Sequence, residues 1–438
     1  MRARVRGRRV AVIGGGWSGL AAAVEATTAG HQVCLFEMAR ELGGRARRAA
    51  SGWPDLSLDN GQHILIGAYT ECLRLMRLVG AEPERRLDRR PLTLQFPDGC
   101  GLGLPPGPAM SAFVRGVMAA THWPLRSRWA LLAQAGRWAL SGFRCDEQFT
   151  VAQFTAGLPG DVRNDLIDPL CVAALNTPAD RASAKVLLRV LRDALFAGPG
   201  ASDLLLPRDD LSALWPQPAA RWLAARGARL NLGHRVQALA REQAHWRVDD
   251  EPFDAVVLAA SAGEAARLTQ TLAPDWASRT AAFEYEPIVT VVARSEGCRL
   301  PLPMLALRSD GNDTPAQFVF DLGQLRGDER AAGVLAFVVS AASAWTERGT
   351  AALTQAVLTQ AQAQLGALLK GKGDLAVLRT LNEKRATFAC VPGLCRPARH
   401  LAPGLCAAGD YVEGPYPATL EGAVRAGVQA ARLATSAP

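Results

Sequence analysis

The stretch from Arg8 to Arg48, RRVAVIGGGWSGLAAAVEATTAGHQVCLFEMARELGGRARR, constrains this chain more than any other. Residues 10–13 form an apolar run that reads as a short buried parallel strand. The run passes straight into Gly14-Gly15-Gly16-Trp17-Ser18-Gly19, a G-x-G-x-x-G turn, and an Ala-rich helix follows from about Leu20 to Ala29. Gly30 fits the helix stop, and residues 33–36 make a second strand that ends on Glu37. In such a unit Gly14 permits the tight turn, Gly16 lets the backbone approach a pyrophosphate, and Gly19 lets helix and strand pack closely. The diphosphate rests on the free N–H groups and positive end of the helix, with Trp17 and Ser18 in the ligand-facing turn. Glu37 at the strand tip is placed to accept hydrogen bonds from a ribose diol. A lone G-x-G-x-x-G is a weak signal; strand, turn, helix, strand and acid in register make a dinucleotide-binding unit.

About six residues beyond the acid comes Leu42-Gly43-Gly44-Arg45-Ala46-Arg47. Two glycines let the backbone wrap a ligand, and an arginine fork suits a diphosphate. This arrangement resembles the flavoenzymes with a two-dinucleotide-binding motif, which include amine oxidases and carotenoid desaturases. The resemblance implies FAD as the bound dinucleotide, in an α/β fold: a Rossmann-like FAD-binding domain with an inserted α+β substrate domain.

A chain of 438 residues is long enough for two or three domains with their own cores. The net charge of +8 comes mostly from arginine. It raises nucleic acid, an anionic membrane surface or an anionic ligand as partners, and no zinc-finger spacing or RNA-binding aromatic motif supports nucleic acid. No metal-ligand spacing is present. Nine cysteines are scattered without a C-x-x-C and read as reduced cytosolic thiols, Cys390 and Cys395 as packing residues. The basic start MRARVRGRR runs into the nucleotide-binding strand with no cleavage site, and no run of 18 uncharged apolar residues occurs.

After the glycine doublet, Gly52 to His63 reads as turn, strand and glycine-bearing turn, carrying Asp59, Gly61, Gln62 and His63. In the resembled flavoenzymes the corresponding D-x-G turn lies near the isoalloxazine. Residues 64–80 read as an amphipathic helix with Leu73, Leu75, Met76 and Leu78 inward and Arg74 and Arg77 outward. Residues 81–107 alternate around Pro and Gly in the manner of a hairpin. Residues 108–143 read as helical, with tryptophans interleaved with arginines, which suits either a bilayer interface or a core helix with a solvated basic face. Small and apolar residues dominate from Asp168 to Pro178, as in a pocket. A helix follows over about 183–196, and the next begins with a cap at Asp209 or Asp210.

DNGQHILIGAY, PLCVAALNTP and ASDLLLPRDDLSALWP, set around the flavin motif, resemble one subfamily, the hydroxysqualene dehydroxylases of bacterial hopanoid synthesis, over nearly the whole chain. In the wider family a valine after a turn binds adenine through its backbone, and Val236 is the matching position. Residues 253–260 read as a buried strand returning to the nucleotide domain. Strands are expected over 288–293, 316–320 and 334–339, with a helix over about 350–369. Near the C-terminus, Gly409-Asp410 and the helix start at Thr419 match the family's ribitol-binding carboxylate and second helix dipole.

The resemblance implies domains at 1–80, 203–260 and 383–438 for FAD and at 81–202 and 261–382 for substrate. It implies reductive dehydroxylation of hydroxysqualene to squalene, with hydride from reduced flavin quenching an allylic cation. Asp59, His63 and Asp209 are the candidate acids or orienting groups. A scarcely soluble substrate implies a cytoplasmic protein held peripherally on the inner face of the cell membrane, its helices near 108–143 the entrance. No motif names the electron donor. A carotenoid or phytoene-type desaturase, an amine oxidase and a flavin- or lipid-binding module without turnover stay open as alternatives.

Overall fold

The computed structural model describes residues 7–49, 56–369 and 374–436, so Gly52 to Asp55 lie outside the described residues. Its first layer is a six-stranded sheet in the order 400–402, 405–407, 255–258, 9–13, 32–37, 229–232, parallel except for the antiparallel edge strand 400–402. Arg9–Ile13 and Ala255–Leu258 lie at its centre and are apolar on both faces: helices Trp17–Thr28 and Leu420–Thr435 cover one, and the antiparallel three-stranded sheet of residues 239–242, 245–248 and 251–253 packs on the other. The expected strand–turn–helix–strand unit is present as Arg9–Ile13, Trp17–Thr28 and Gln32–Glu37, the helix starting three residues earlier than its apolar run suggests. Helix Trp17–Thr28 packs against the C-terminal helix Leu420–Thr435 through Ala21, Ala22, Ala26, Ala430 and Ala431, all buried, and these small side chains let the two backbones approach.

The second layer is an antiparallel five-stranded sheet in the order 304–306, 318–321, 334–339, 285–294, 376–388. Its side chains alternate by strand periodicity. Val289, Val291, Leu335 and Phe337 face helix Thr350–Leu369 and its Leu353, Val357, Ala361 and Leu365. Val292, Phe318, Phe320 and Val338 face the other way, toward helices Ala109–Ala119, Leu125–Leu140 and Ala184–Phe196. Strand Ala376–Phe388 stays whole across the domain boundary expected at residue 383.

One expectation is corrected and one is refined. Residues 64–80 are not one helix: Leu65–Ile66 pairs with Leu204 and Leu205, and the helix spans only Thr70–Leu78. The cause is Gly67, whose absent Cβ would stand 1.8 Å from the Gly200 carbonyl oxygen, a backbone contact that a continuous helix would not allow. Leu78 is exposed accordingly. The Trp/Arg segment is two helices whose tryptophans divide. Trp123 and Trp138 are core, Trp123 donating to Asp165 Oδ2 at 3.1 Å, while Trp129 is 61% exposed. Among the described residues no helix is long and apolar enough to cross a membrane.

Candidate functional site

One cavity of about 710 Å³ runs between the two layers, from the glycine turn to the helices of the second layer. At the turn, Gly14 holds φ +110° with the Ala259 carbonyl oxygen where a Cβ would point, so only glycine fits. Gly19 does not line the cavity; a Cβ there would stand 1.8 Å from Gly14 O, which is the close helix–strand packing expected of it. Gly16 is the N-cap of helix Trp17–Thr28 with no side-chain cap and no acid in the first turn. Ser18 Oγ is buried on the cavity wall without a hydrogen-bond partner among the described residues. Bare N–H groups at a helix start and an orphaned hydroxyl fit the diphosphate of a dinucleotide.

Gly43 N–H donates to Gly15 O at 2.9 Å, and Gly43 and Gly44 both hold positive φ, so the doublet wraps back onto the turn. Trp17 Nε1 donates to Ala46 O at 2.9 Å and locks the wrap. Glu37 lines the cavity at the tip of strand Gln32–Glu37. Its carboxylate also accepts from Gly15 N at 2.6 Å and Ala39 N at 2.8 Å, a turn-fixing task that the sequence pattern does not announce. Val236 is buried on the wall, and its carbonyl already accepts from Arg267 Nη2 at 2.6 Å.

Between the two ends of the cavity the layers are tied together. Arg45 was expected to fork onto a diphosphate; here Nη2 donates to Asp410 Oδ1 at 2.6 Å and Nη1 to Ala386 O at 2.8 Å. Asn60 Nδ2 donates to Arg45 O at 3.1 Å and to Glu383 Oε2 at 2.8 Å. Gly61, with φ +89°, Gln62 and His63 line the cavity beside them. His63 Nδ1 lies 3.1 Å from Gly61 O, and burial pushes its pKa below the ordinary value, partly offset by that carbonyl. Gly409, Asp410 and Thr419 line the opposite wall, Thr419 accepting from Gly422 N at 2.9 Å as the cap of the C-terminal helix.

Two of the three candidate acids are not on the cavity. Asp59 points away from it: Oδ1 accepts from Leu211 N at 2.8 Å, and Arg326 Nη2 lies 3.9 Å from Oδ2. The local turn explains this, since it sends Asn60 to one side and Asp59 to the other. Asp209 is a surface partner of Arg86 at 2.7 Å, and Asp210 is the helix cap. Of the three, only His63 reaches the cavity. The sequence reading missed Glu383 on strand Ala376–Phe388 and Asp193 on helix Ala184–Phe196, both on the wall. Asp193 carries Arg189 at 2.6 Å and Arg192 at 3.0 Å. The run Asn382-Glu383-Lys384-Arg385 is polar without alternation, so no local pattern singles out Glu383.

The far end is apolar, lined by Leu102, Phe113, Leu131, Trp138, Leu170, Leu191, Phe318 and Phe320 among others. A nucleotide-fitting end thus opens into a water-poor chamber, an arrangement for redox chemistry on a hydrophobic molecule.

Residues 17–435 match the family of flavin-containing amine oxidoreductases. The chain belongs to that family. Flavin-containing amine oxidoreductases are FAD-binding α/β enzymes, and this one is an FAD-dependent oxidoreductase. It is 28% identical to a hydroxysqualene dehydroxylase of Rhodopseudomonas palustris over 98% of this chain and 99% of the relative. A second hydroxysqualene dehydroxylase, from Sinorhizobium fredii, is 27% identical over 98% and 99%. Among solved structures, an oxidoreductase from Methanosarcina mazei has the same fold, with a TM-score of 0.71 at 15% identity over 96% of this chain and 99% of that one. Among the described residues no cluster of His, Cys, Asp or Glu is placed to hold a metal ion.

Proposed function

We propose that this chain removes the hydroxyl group of hydroxysqualene reductively and releases squalene, a step of hopanoid biosynthesis. One observation carries the reading: the flavin-fitting turn and a long apolar chamber share one cavity, in a chain whose near full-length relatives bear that name. Reduced FAD, when bound, supplies the hydride. The helix start at Gly16, Ser18 and the glycine doublet would hold its diphosphate, and Glu37 and Asp410, on the same cavity wall, would face its sugar portions. The apolar wall from Phe113 to Phe320 takes the hydrocarbon and excludes water, which would otherwise capture an allylic cation. His63, held neutral by burial, offers the hydroxyl a hydrogen bond rather than a strong acid.

A hydrocarbon of this kind resides in a bilayer, and the protein is read as a cytoplasmic protein peripheral on the inner face of the membrane. Helix Leu125–Leu140 supports this: Leu131, Ala135 and Trp138 line the cavity, while Leu125, Trp129 and Leu140 are exposed on its other side.

The test is anaerobic. Purified protein is reduced and given hydroxysqualene, and flavin absorbance and extracted lipid are followed together. Reoxidation with squalene appearing supports the reading; protein that stays reduced refutes it. Oxidised protein bleached by a polyene would instead indicate a desaturase.

A further inference from the structure

Six carboxylates line the cavity: Glu37, Asp193, Glu264, Glu383, Asp410 and Glu421. Four are paired with arginine, and the fifth, Glu37, lies at the glycine turn rather than at the apolar chamber. Glu37 accepts two backbone N–H groups; Asp193, Glu264, Asp410 and Glu421 each hold an arginine at 2.6 Å. Glu383 differs. Its Oε2 accepts from the Asn60 amide at 2.8 Å and its Oε1 from Arg385 N–H at 3.1 Å, and among the described residues it forms no ion pair. The Arg45 guanidinium is hydrogen-bonded to Asp410 and Ala386 O and acts on Glu383 only through space, without a direct ion pair. In the sheet register Glu383 lies opposite Ile288, which also lines the cavity, so the carboxylate stands where the apolar sheet face meets the ties to the flavin-fitting end.

The geometry points to Glu383 as a further catalytic residue, the anion that stabilises the allylic cation. The inference rests on the dehydroxylation proposed above. In that step the hydroxyl takes the proton that accompanies the hydride in two-electron reduced flavin and leaves as water with the bonding pair, so that no hydroxide remains. The electron-deficient allyl unit is then closed by a hydride drawn from reduced flavin, so alcohol, proton and hydride give hydrocarbon and water. Glu383 is unchanged by the sequence. A fixed negative charge in a dry, apolar chamber favours the cationic transition state over the neutral alcohol, and two amide hydrogen bonds hold it in place without discharging it. Asn60 is its positioning residue.

Glu383→Gln removes the charge and keeps the shape: the amide oxygen still accepts one of the two hydrogen bonds, and the other is given up with the charge. Single-turnover squalene formation in the reduced holoenzyme is expected to fall about 100-fold or more, with Tm, FAD content and substrate KM close to those of the wild type. Glu383→Asp keeps the charge and is expected to be at least about tenfold faster than Glu383→Gln, the size of effect one unit of 1.4 kcal/mol represents. Equal rates in wild type and Glu383→Gln, equal rates in the two variants, or loss of FAD from Glu383→Gln would each overturn the assignment. Absence of squalene from the wild type would instead overturn the reaction it rests on.

Discussion

Gly427 lies against Ser18 so closely that a Cβ at 427 would stand 2.1 Å from the Ser18 carbonyl oxygen. The contact is backbone to side-chain position, between the C-terminal helix and the first turn of the helix that fits the diphosphate. Neither backbone can give without moving the glycine turn. Gly427→Ala therefore sets two effects against each other. Helix propensity favours alanine by about 1 kcal/mol, whereas forced overpacking costs about 1–3 kcal/mol, and a contact this short sits at the upper end. The expected result is net destabilisation by about 1–2 kcal/mol in urea titration, with FAD retention weakened because Ser18 moves. A variant as stable as the wild type would show that the helices can part freely.

Arg45 and Asp410 make a second prediction. They are 365 residues apart in sequence and 2.6 Å apart in the structure, and Asp410 is 7% exposed. Asp410→Ala removes a carboxylate from the cavity wall and leaves the Arg45 guanidinium with the Ala386 and Arg385 carbonyl oxygens. Loss of a charged partner from a hydrogen-bonded pair costs about 1–3 kcal/mol, so FAD affinity, read by flavin fluorescence during dilution, is expected to drop by about tenfold or more. Arg45→Met should drop it similarly, and the double variant by less than the sum. Strict additivity would mean that the two side chains act separately.

The legible parts of this fold are those whose requirements are local. Gly19 answers a constraint five residues away, at Gly14 O, and strand Val334–Val339 and helix Thr350–Leu369 emerge from their periodicity. The site between the layers does not read this way. Asn60 meets Glu383 across 323 positions, and no local pattern connects them. Asp59 was misplaced for a related reason: the DNGQH stretch is rightly located at the cavity, but adjacent residues of an extended turn point oppositely, and one position decides between wall and core. The helix over residues 64–80 failed on Gly67, whose contact with Gly200 is also non-local.

Asp59 gives a pH prediction. Burial pushes its carboxyl from the usual 3.8 up to about 7, against the pull of the Leu211 N–H and Arg326. An acid whose folded pKa is raised binds more protons folded than unfolded, so stability declines as pH rises from about 4 to about 7 and stays reduced above that. Asp59→Asn keeps an oxygen for Leu211 N–H and removes the titration. It should be the more stable protein at pH 8, by an amount on the order of a few kcal/mol at most, with the advantage gone near pH 4. Chemical denaturation at the two pH values checks this; a wild-type advantage at pH 8 would mean that Arg326 outweighs the burial.

The two tryptophans of the segment 108–143 separate packing from surface attachment. Trp123 is 2% exposed and bonded to Asp165, so Trp123→Ala opens a cavity and is expected to cost about 3–5 kcal/mol of stability. Trp129 is 61% exposed and Leu140 91% exposed on helix Leu125–Leu140, so Trp129→Ser with Leu140→Ser should change stability by less than about 0.5 kcal/mol. If that face meets the bilayer, the double variant loses co-sedimentation with anionic vesicles, and turnover of vesicle-borne substrate falls while turnover of detergent-solubilised substrate is kept. The arginines Arg126 and Arg137 share the helix, so binding should also weaken with salt, by about 1 kcal/mol for each arginine near the surface. Vesicle binding that survives the double substitution but not Trp123→Ala would place the attachment elsewhere in the fold, because only the buried tryptophan supports structure at a distance.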